Sequence, residues 1–148
     1  MRMYKKIYNK WLIFVNFQRK YNYVFYPIVT SIIFNIIIKI PNIITVNQSM
    51  NNNIVSVSGV LVGFLFSSHS ILIALPDNKK YVQLLKEYGY LKRNFLSIFL
   101  GEIFLTISLV LSFFELNIFL SLNFFIIGIC YTIILAVNLF FTSIYIVK

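Results

Sequence analysis

An all-α membrane protein with four transmembrane helices is the fold class this sequence predicts, and three observations predict it. Hydrophobic residues fill 59% of the 148 positions and charged residues only 11%, at a mean hydropathy of +0.84. A soluble domain of that composition would expose more apolar surface than water tolerates. Four apolar stretches, 24–46, 54–75, 95–114 and 122–147, reach the roughly 20 residues that a helix needs to cross hydrocarbon. The basic residues sort onto one side: six precede the first stretch, five lie between the second and third, and Lys148 ends the chain. Strands of a membrane barrel would alternate apolar and polar residues, and runs such as Ile36 to Ile38 and Phe124 to Ile127 do not.

The segment 1–23 is polar and basic, and Tyr4, Ile7, Tyr8, Trp11 and Val15 recur in it at helical spacing. It is expected either to lie as an amphipathic helix in the headgroup plane or to act as a basic leader with a Tyr and Trp belt. No short apolar core followed by an A-x-A-like site is visible, so the first span is expected to stay as an anchor. Tyr21, Tyr23 and Tyr26 mark the interface, and Pro27 suits the first turn of the span. Lys39 and Pro41 fall near its far end, where the lysine can snorkel outward. The connection 47–53 is Asn-rich and uncharged, and too short to fold into an external domain.

Pro76 ends the second span, Asp77 is expected to cap a short helix, and Tyr81, Leu84, Leu85 and Tyr88 line one of its faces up to Gly89. An amphipathic elbow at the membrane surface fits this pattern. With Lys79, Lys80 and Lys86, the residues Tyr81, Leu84 and Leu85 offer a contact for lipid headgroups or a cytoplasmic protein. The last apolar region exceeds one upright span, so an interfacial turn is expected near Glu115 to Ser121, with the fourth helix starting near Leu122. By the positive-inside rule both termini and the elbow are expected in the cytoplasm. The formal charge of +9 is mostly this topological signal; the basic residues flank spans and form no nucleic-acid motif.

Two features within the spans can carry function. On the second span, Ser56, Gly59, Gly63, Ser67, Ser70 and Ala74 follow one another at steps of three or four and form one stripe of small side chains. Such a stripe lets backbones approach closely in lipid, where dehydration adds little to packing. Ser97, Gly101, Ser108 and Ser112 make a second small face on the third span, broken near Leu105. The two faces can meet within one chain, or the first can join copies into a homo-oligomer. The other feature is a layer of polar groups: Asn35, His69, Glu102 and Asn138, one from each span, lie at depths that allow a buried cluster. That cluster reads either as a hydrogen-bonded plug that fixes helix rotation or as a constriction in which Glu102 and His69 change charge.

Enzymatic machinery is not expected. The chain has no HExxH, no Cys/His cluster for zinc, no P-loop and no Gly-x-Ser-x-Gly elbow, so neither cofactor nor metal is predicted. His69 stands between Ser68 and Ser70, but neighbouring helix positions point about 100° apart. Cys130 is the one cysteine and reads as a packing residue. Ile, Asn, Lys, Phe and Tyr abound together, as AT-rich codons would produce, which weakens the meaning of any single Asn or Tyr.

The segment Ser58 to Asn94, SGVLVGFLFSSHSILIALPDNKKYVQLLKEYGYLKRN, resembles the central part of small multi-span proteins of bacterial antiphage defence loci. In those a Gly-rich span ends in a Leu-Pro-Asp-Asn-like turn and leads into a short basic helix. The resemblance covers about a quarter of the chain and implies an effector or partner that acts by impairing the host membrane; it carries no catalytic residue. Three expectations follow: an oligomerising effector that permeabilises the membrane on a cytoplasmic cue, a non-conducting membrane partner or immunity protein, and a small holin-like or transport component.

Overall fold

The computed structural model describes residues 21–38, 48–87 and 89–147. Among them every regular element is a helix: α1 (Tyr21–Ile38), α2 (Gln48–Ile73), α3 (Lys80–Glu87), α4 (Tyr90–Phe113) and α5 (Ile118–Val147). All but α3 are long and apolar enough to cross a membrane, the architecture of a multi-pass membrane protein. Their outer surfaces agree with lipid as solvent, since Val60, Phe66, Phe113 and Phe140 all stand exposed. The segment expected over 1–23 falls outside the described residues up to position 20, and its last three residues already belong to α1. Lys39 and Pro41 also fall outside them.

α4 is the central helix, packed along α2 on one side and α5 on the other. Both neighbours run antiparallel to it. Asn51, near the start of α2, bonds Ser112, near the end of α4, while a side chain grown at Gly101 would meet Leu65 and Tyr131. One end of the bundle carries α3 and is called the elbow end here; the other carries the tight connection Glu115 to Asn117 and is the turn end. The core is a cluster of Leu65, Ile98, Leu105 and Leu135, with a second cluster of Phe34, Ile54 and Leu122 toward the turn end. α1 is peripheral. Of its described residues only Pro27 and Phe34 are buried, and its docking to α5 runs through Asn35 and Asn123.

The helix boundaries depart from the expected spans for physical reasons. α2 begins at Gln48, inside what composition marks as a loop, because Asn51 turns inward and gives its Nδ2–H to the Ser112 carbonyl at 2.7 Å. α4 begins at Tyr90, directly after Gly89, whose φ of 69° lies in the left-handed region where a Cβ is costly. α5 begins at Ile118, earlier than Leu122, because the Asn117 side chain accepts the Leu120 N–H at 3.0 Å and caps the helix. Pro27 is seven residues into α1 instead of in a first turn, and the nearby Thr30 hydroxyl donates to the Tyr26 and Pro27 carbonyls at 3.0 Å each.

α2 ends three residues before Pro76, and the elbow then closes differently from the expected cap. α3 starts at Lys80, so Asp77 stands outside its first turn. The Asp77 carboxylate instead takes a hydrogen-bonded ion pair from Lys86 at 2.7 Å, and its carbonyl accepts from Gln83 at 3.4 Å. Val82 is fully buried against the bundle and Leu85 half-buried, whereas Leu84 is 44% exposed. The inward face of the elbow is therefore centred on Val82, a residue the Tyr81, Leu84, Leu85 and Tyr88 pattern leaves out.

Candidate functional site

The buried face of α4 is the polar feature that organises the bundle. Asn94, Ser97, Gly101, Leu105, Ser108 and Ser112 succeed one another at steps of three or four, and all six are buried. Helical geometry puts them in one line from the elbow end to the turn end. Leu105 breaks the polar or small character of this line, and Ile98 is buried beside it.

At the turn end this line meets a knot of serines. The Ser108 hydroxyl donates to the Ser121 carbonyl at 2.9 Å and lies 3.2 Å from the Ser121 hydroxyl. Ser121 in return donates to the Ser108 carbonyl at 3.0 Å, and the Ser112 and Ser121 hydroxyls are hydrogen-bonded to each other. Asn51 joins from α2 through the Ser112 carbonyl, so three helices share one network. Each of these side chains is at least nine-tenths buried. In hydrocarbon a polar group is satisfied inside the protein or not at all, which is why the hydroxyls find one another.

Not every group is satisfied. Among the described residues, Asn51 Oδ1, Ser58 Oγ, Asn94 Oδ1, Ser97 Oγ and Glu102 Oε1 are buried and take no hydrogen bond. Each such group left without a partner costs about 1–3 kcal/mol. They fall on either side of Leu105: Asn94, Ser97 and Glu102 precede it on α4 toward the elbow end, and Asn51 and Ser58 lie toward the turn end.

The expected four-helix polar layer divides in two. His69 and Glu102 do come together, with Nδ1 and Oε1 3.5 Å apart and side chains 22% and 14% exposed. That separation allows charge attraction but makes no hydrogen bond. Glu102 lies about 18 Å along α4 from Tyr90, deeper than a span starting at 95 would place it. The carboxylate reaches His69 because helical side chains lean toward their own N-terminus, here the elbow end. The imidazole is also held edge-on to the Phe95 ring, with centroids 4.4 Å apart. Asn35 is not part of this pair. It lies near the turn end, where its Nδ2–H donates to Asn123 Oδ1 at 2.7 Å while Asn123 Nδ2–H returns a bond to Asn35 Oδ1 at 3.3 Å. Asn138 is half-buried on α5.

The six small residues of α2 all stand exposed: Ser56, Gly59, Gly63, Ser67, Ser70 and, just past the helix end, Ala74. A Cβ built at Gly63 meets nothing within 4 Å, and the hydroxyls of Ser56, Ser67 and Ser70 bond carbonyls one turn back on their own helix. Gly59 alone of the two stripe glycines faces α4, where a Cβ would come 3.7 Å from Leu109 Cδ1, and the rest of the small face turns away from Ser97 and Gly101. α2 instead turns Asn51, Ser58, Leu65 and Leu72, spaced seven apart, toward the core. Ser97 and Gly101 do lie at a helix junction; a Cβ at Gly101 would come within 2.9 Å of Leu65 Cδ1 and 3.2 Å of Tyr131 Cβ. On the elbow, Lys79 and Lys80 are exposed, Lys86 is engaged by Asp77, and the side chain of Tyr81 lies outside the described residues.

Sequence reasoning missed Asn51, Ser58, Asn94, Ser121 and Asn123. For the first two a signal existed, the seven-residue spacing of Asn51, Ser58 and Leu65. No protein-family model, no curated protein and no solved structure matches this chain.

Proposed function

We propose that this chain is a non-enzymatic inner-membrane protein that self-associates through α2 and, on a cue received at its elbow, raises the permeability of the membrane, as an antiphage-type effector does. The observation that carries this reading is the outward position of Ser56, Gly63, Ser67 and Ser70, a smooth and exposed helix face that meets α4 at Gly59, where a Cβ would come 3.7 Å from Leu109 Cδ1. In lipid such a face gains by packing closely on another helix. The asymmetry of Lys and Arg puts the elbow end and both termini in the cytoplasm. Lys79 and Lys80 then face the cell interior, at about 1 kcal/mol of attraction each to an anionic headgroup near the surface. His69 and Glu102, both ionisable and partly exposed, supply a place where a change of charge would disturb the packing of α2 on α4.

Two measurements test it. Induced expression in cells carrying a membrane-potential dye is expected to depolarise them, and a Gly59→Leu/Gly63→Leu variant is expected to run as a smaller species in detergent and to lose that effect. Unchanged oligomer size in the variant excludes the stripe as the association surface. The exposed Lys79, Lys80 and Leu84 favour a second reading, a non-conducting partner or immunity protein that docks another protein on the elbow; silence of the dye together with co-purification of a cytoplasmic partner would select it.

A further inference from the structure

We infer that the buried face of α4 holds two hydrated half-paths for protons, one entering from each end of the bundle, kept apart at Leu105. The ligand class is water and the proton it carries. The path lies inside a single chain. It deepens the permeability reading proposed above but does not rest on association between copies.

From the turn end, an open cleft of about 570 Å³ is lined by Asn51, Glu115, Leu116, Asn117, Ile118 and Phe119. Asn51 lies at the floor of that cleft, 6% exposed, with its Oδ1 unpartnered among the described residues. Behind it come Ser112, Ser121 and Ser108: the Ser112 and Ser121 hydroxyls are hydrogen-bonded to each other, and Ser121 and Ser108 each donate to the other's carbonyl with their hydroxyl oxygens 3.2 Å apart. Ser58 follows on α2, seven residues beyond Asn51 and fully buried, with an unpartnered hydroxyl. A hydroxyl or water that accepts a proton on one side and releases its own on the other passes one positive charge along the network.

From the elbow end, Asn94 and Ser97 are 3% and 1% exposed and each keeps an oxygen without a partner. Glu102 Oε1 is likewise buried and free of hydrogen bonds, beside His69. Unpartnered oxygens at such depth are what ordered internal water bridges in proteins, two to four bonds to each molecule. Between Glu102 and Ser108 on α4 stands Leu105, fully buried in one cluster with Leu65, Ile98 and Leu135. An apolar layer of that kind gates by excluding water.

Silver ion, small and water-borne, tests the hydration on the full chain in liposomes. In a Cys130→Ala background, Ser97→Cys and Ser58→Cys are expected to react at least tenfold faster than Leu105→Cys in the layer and Val60→Cys on the lipid face. Thiols that silver spares are counted by a maleimide gel shift after unfolding. Reaction of Ser97→Cys and Ser58→Cys no faster than Val60→Cys overturns the inference. Proton flux into vesicles holding a pH dye gives the second arm: Leu105→Ser is expected to raise it several-fold, and Val60→Ser on the lipid face to leave it at the level of the parent. Folded Leu105→Ser with parental flux overturns the gate, and the labelling decides hydration even where that variant does not fold. Silver reactivity that survives Gly59→Leu/Gly63→Leu separates this path from self-association.

Discussion

Two glycine-to-alanine substitutions in the same bundle are expected to differ sharply in stability. At Gly128 on α5 a new Cβ would sit against Leu105 Cγ, 2.6 Å from Leu105 Cδ2 and 3.3 Å from the Leu105 backbone nitrogen. Ordinary carbon contacts are about 3.5–4.0 Å, so the leucine must move by about 1 Å. It has nowhere to go: Leu105 is fully buried among Leu65, Ile98 and Leu135, and the crowded atoms include its branch point and its own main chain. Overpacking of this kind costs about 1–3 kcal/mol. At Gly63 the same methyl meets nothing within 4 Å in its own chain, and the comparison is made on monomer at high micelle-to-protein ratio. Both substitutions gain the same helix preference, up to about 1 kcal/mol, which cancels in the comparison. The difference between the variants is therefore the overpacking cost alone, about a 5- to 150-fold change in the folded-to-unfolded ratio. SDS titration in mixed micelles measures it, read by the near-ultraviolet dichroism of Tyr131, which stacks on Phe104 at 5.9 Å. Gly128→Ala and Gly63→Ala agreeing within about 0.5 kcal/mol would refute the packing described here. Adding Leu105→Ala to Gly128→Ala should remove most of the clash, so non-additivity in that double-mutant cycle locates the cost at this contact.

Three further outcomes are expected. Gly89→Ala should cost about 1–2 kcal/mol through its backbone alone, since φ is 69° and nothing crowds the new methyl; the same SDS titration reads it, and a neutral result would contradict the left-handed turn. Asn117→Ala should cost about 1 kcal/mol by uncapping α5, whereas Asn117→Ser or Asn117→Asp should keep most of that stability. Glu102→Gln should leave oligomer size and helix content unchanged; if it also keeps conductance, the pair with His69 is a packing feature and its charge plays no part.

The four spans were legible because lipid imposes length and apolarity on anything that crosses it, and both are properties of composition. The ends of the helices were harder to read, since single polar contacts set them. Asn51 looks like one more loop asparagine until the Ser112 carbonyl is seen opposite it. Asn117 did carry a readable signal, a capping side chain just before an apolar run, hidden by the expectation of a longer turn. The rotation of α2 was not legible. Its small face and its Asn51, Ser58 and Leu65 face both repeat at helical spacing, and a pattern rule that seeks close packing chooses the glycines, yet Leu65 finds its hollow at Gly101 on the partner helix. The nearness of His69 and Glu102 followed from depth, but Asn35 did not join them because α1 is held at the opposite end, by Asn123.

That last contact has a consequence for biosynthesis. Asn35 is made early, yet the side chain that completes its amide pair arrives 88 residues later in the chain. At about 5–20 residues per second, a ribosome needs about 4–18 s to deliver it. During that interval the amide has the Ser31 carbonyl of its own helix to lean on, at 2.8 Å. α1, the earliest of the described helices to be made, can meet Ile54 of α2 soon after synthesis, but its polar neighbour on α5 comes only when that helix emerges, and until then the amide faces the translocon or open bilayer.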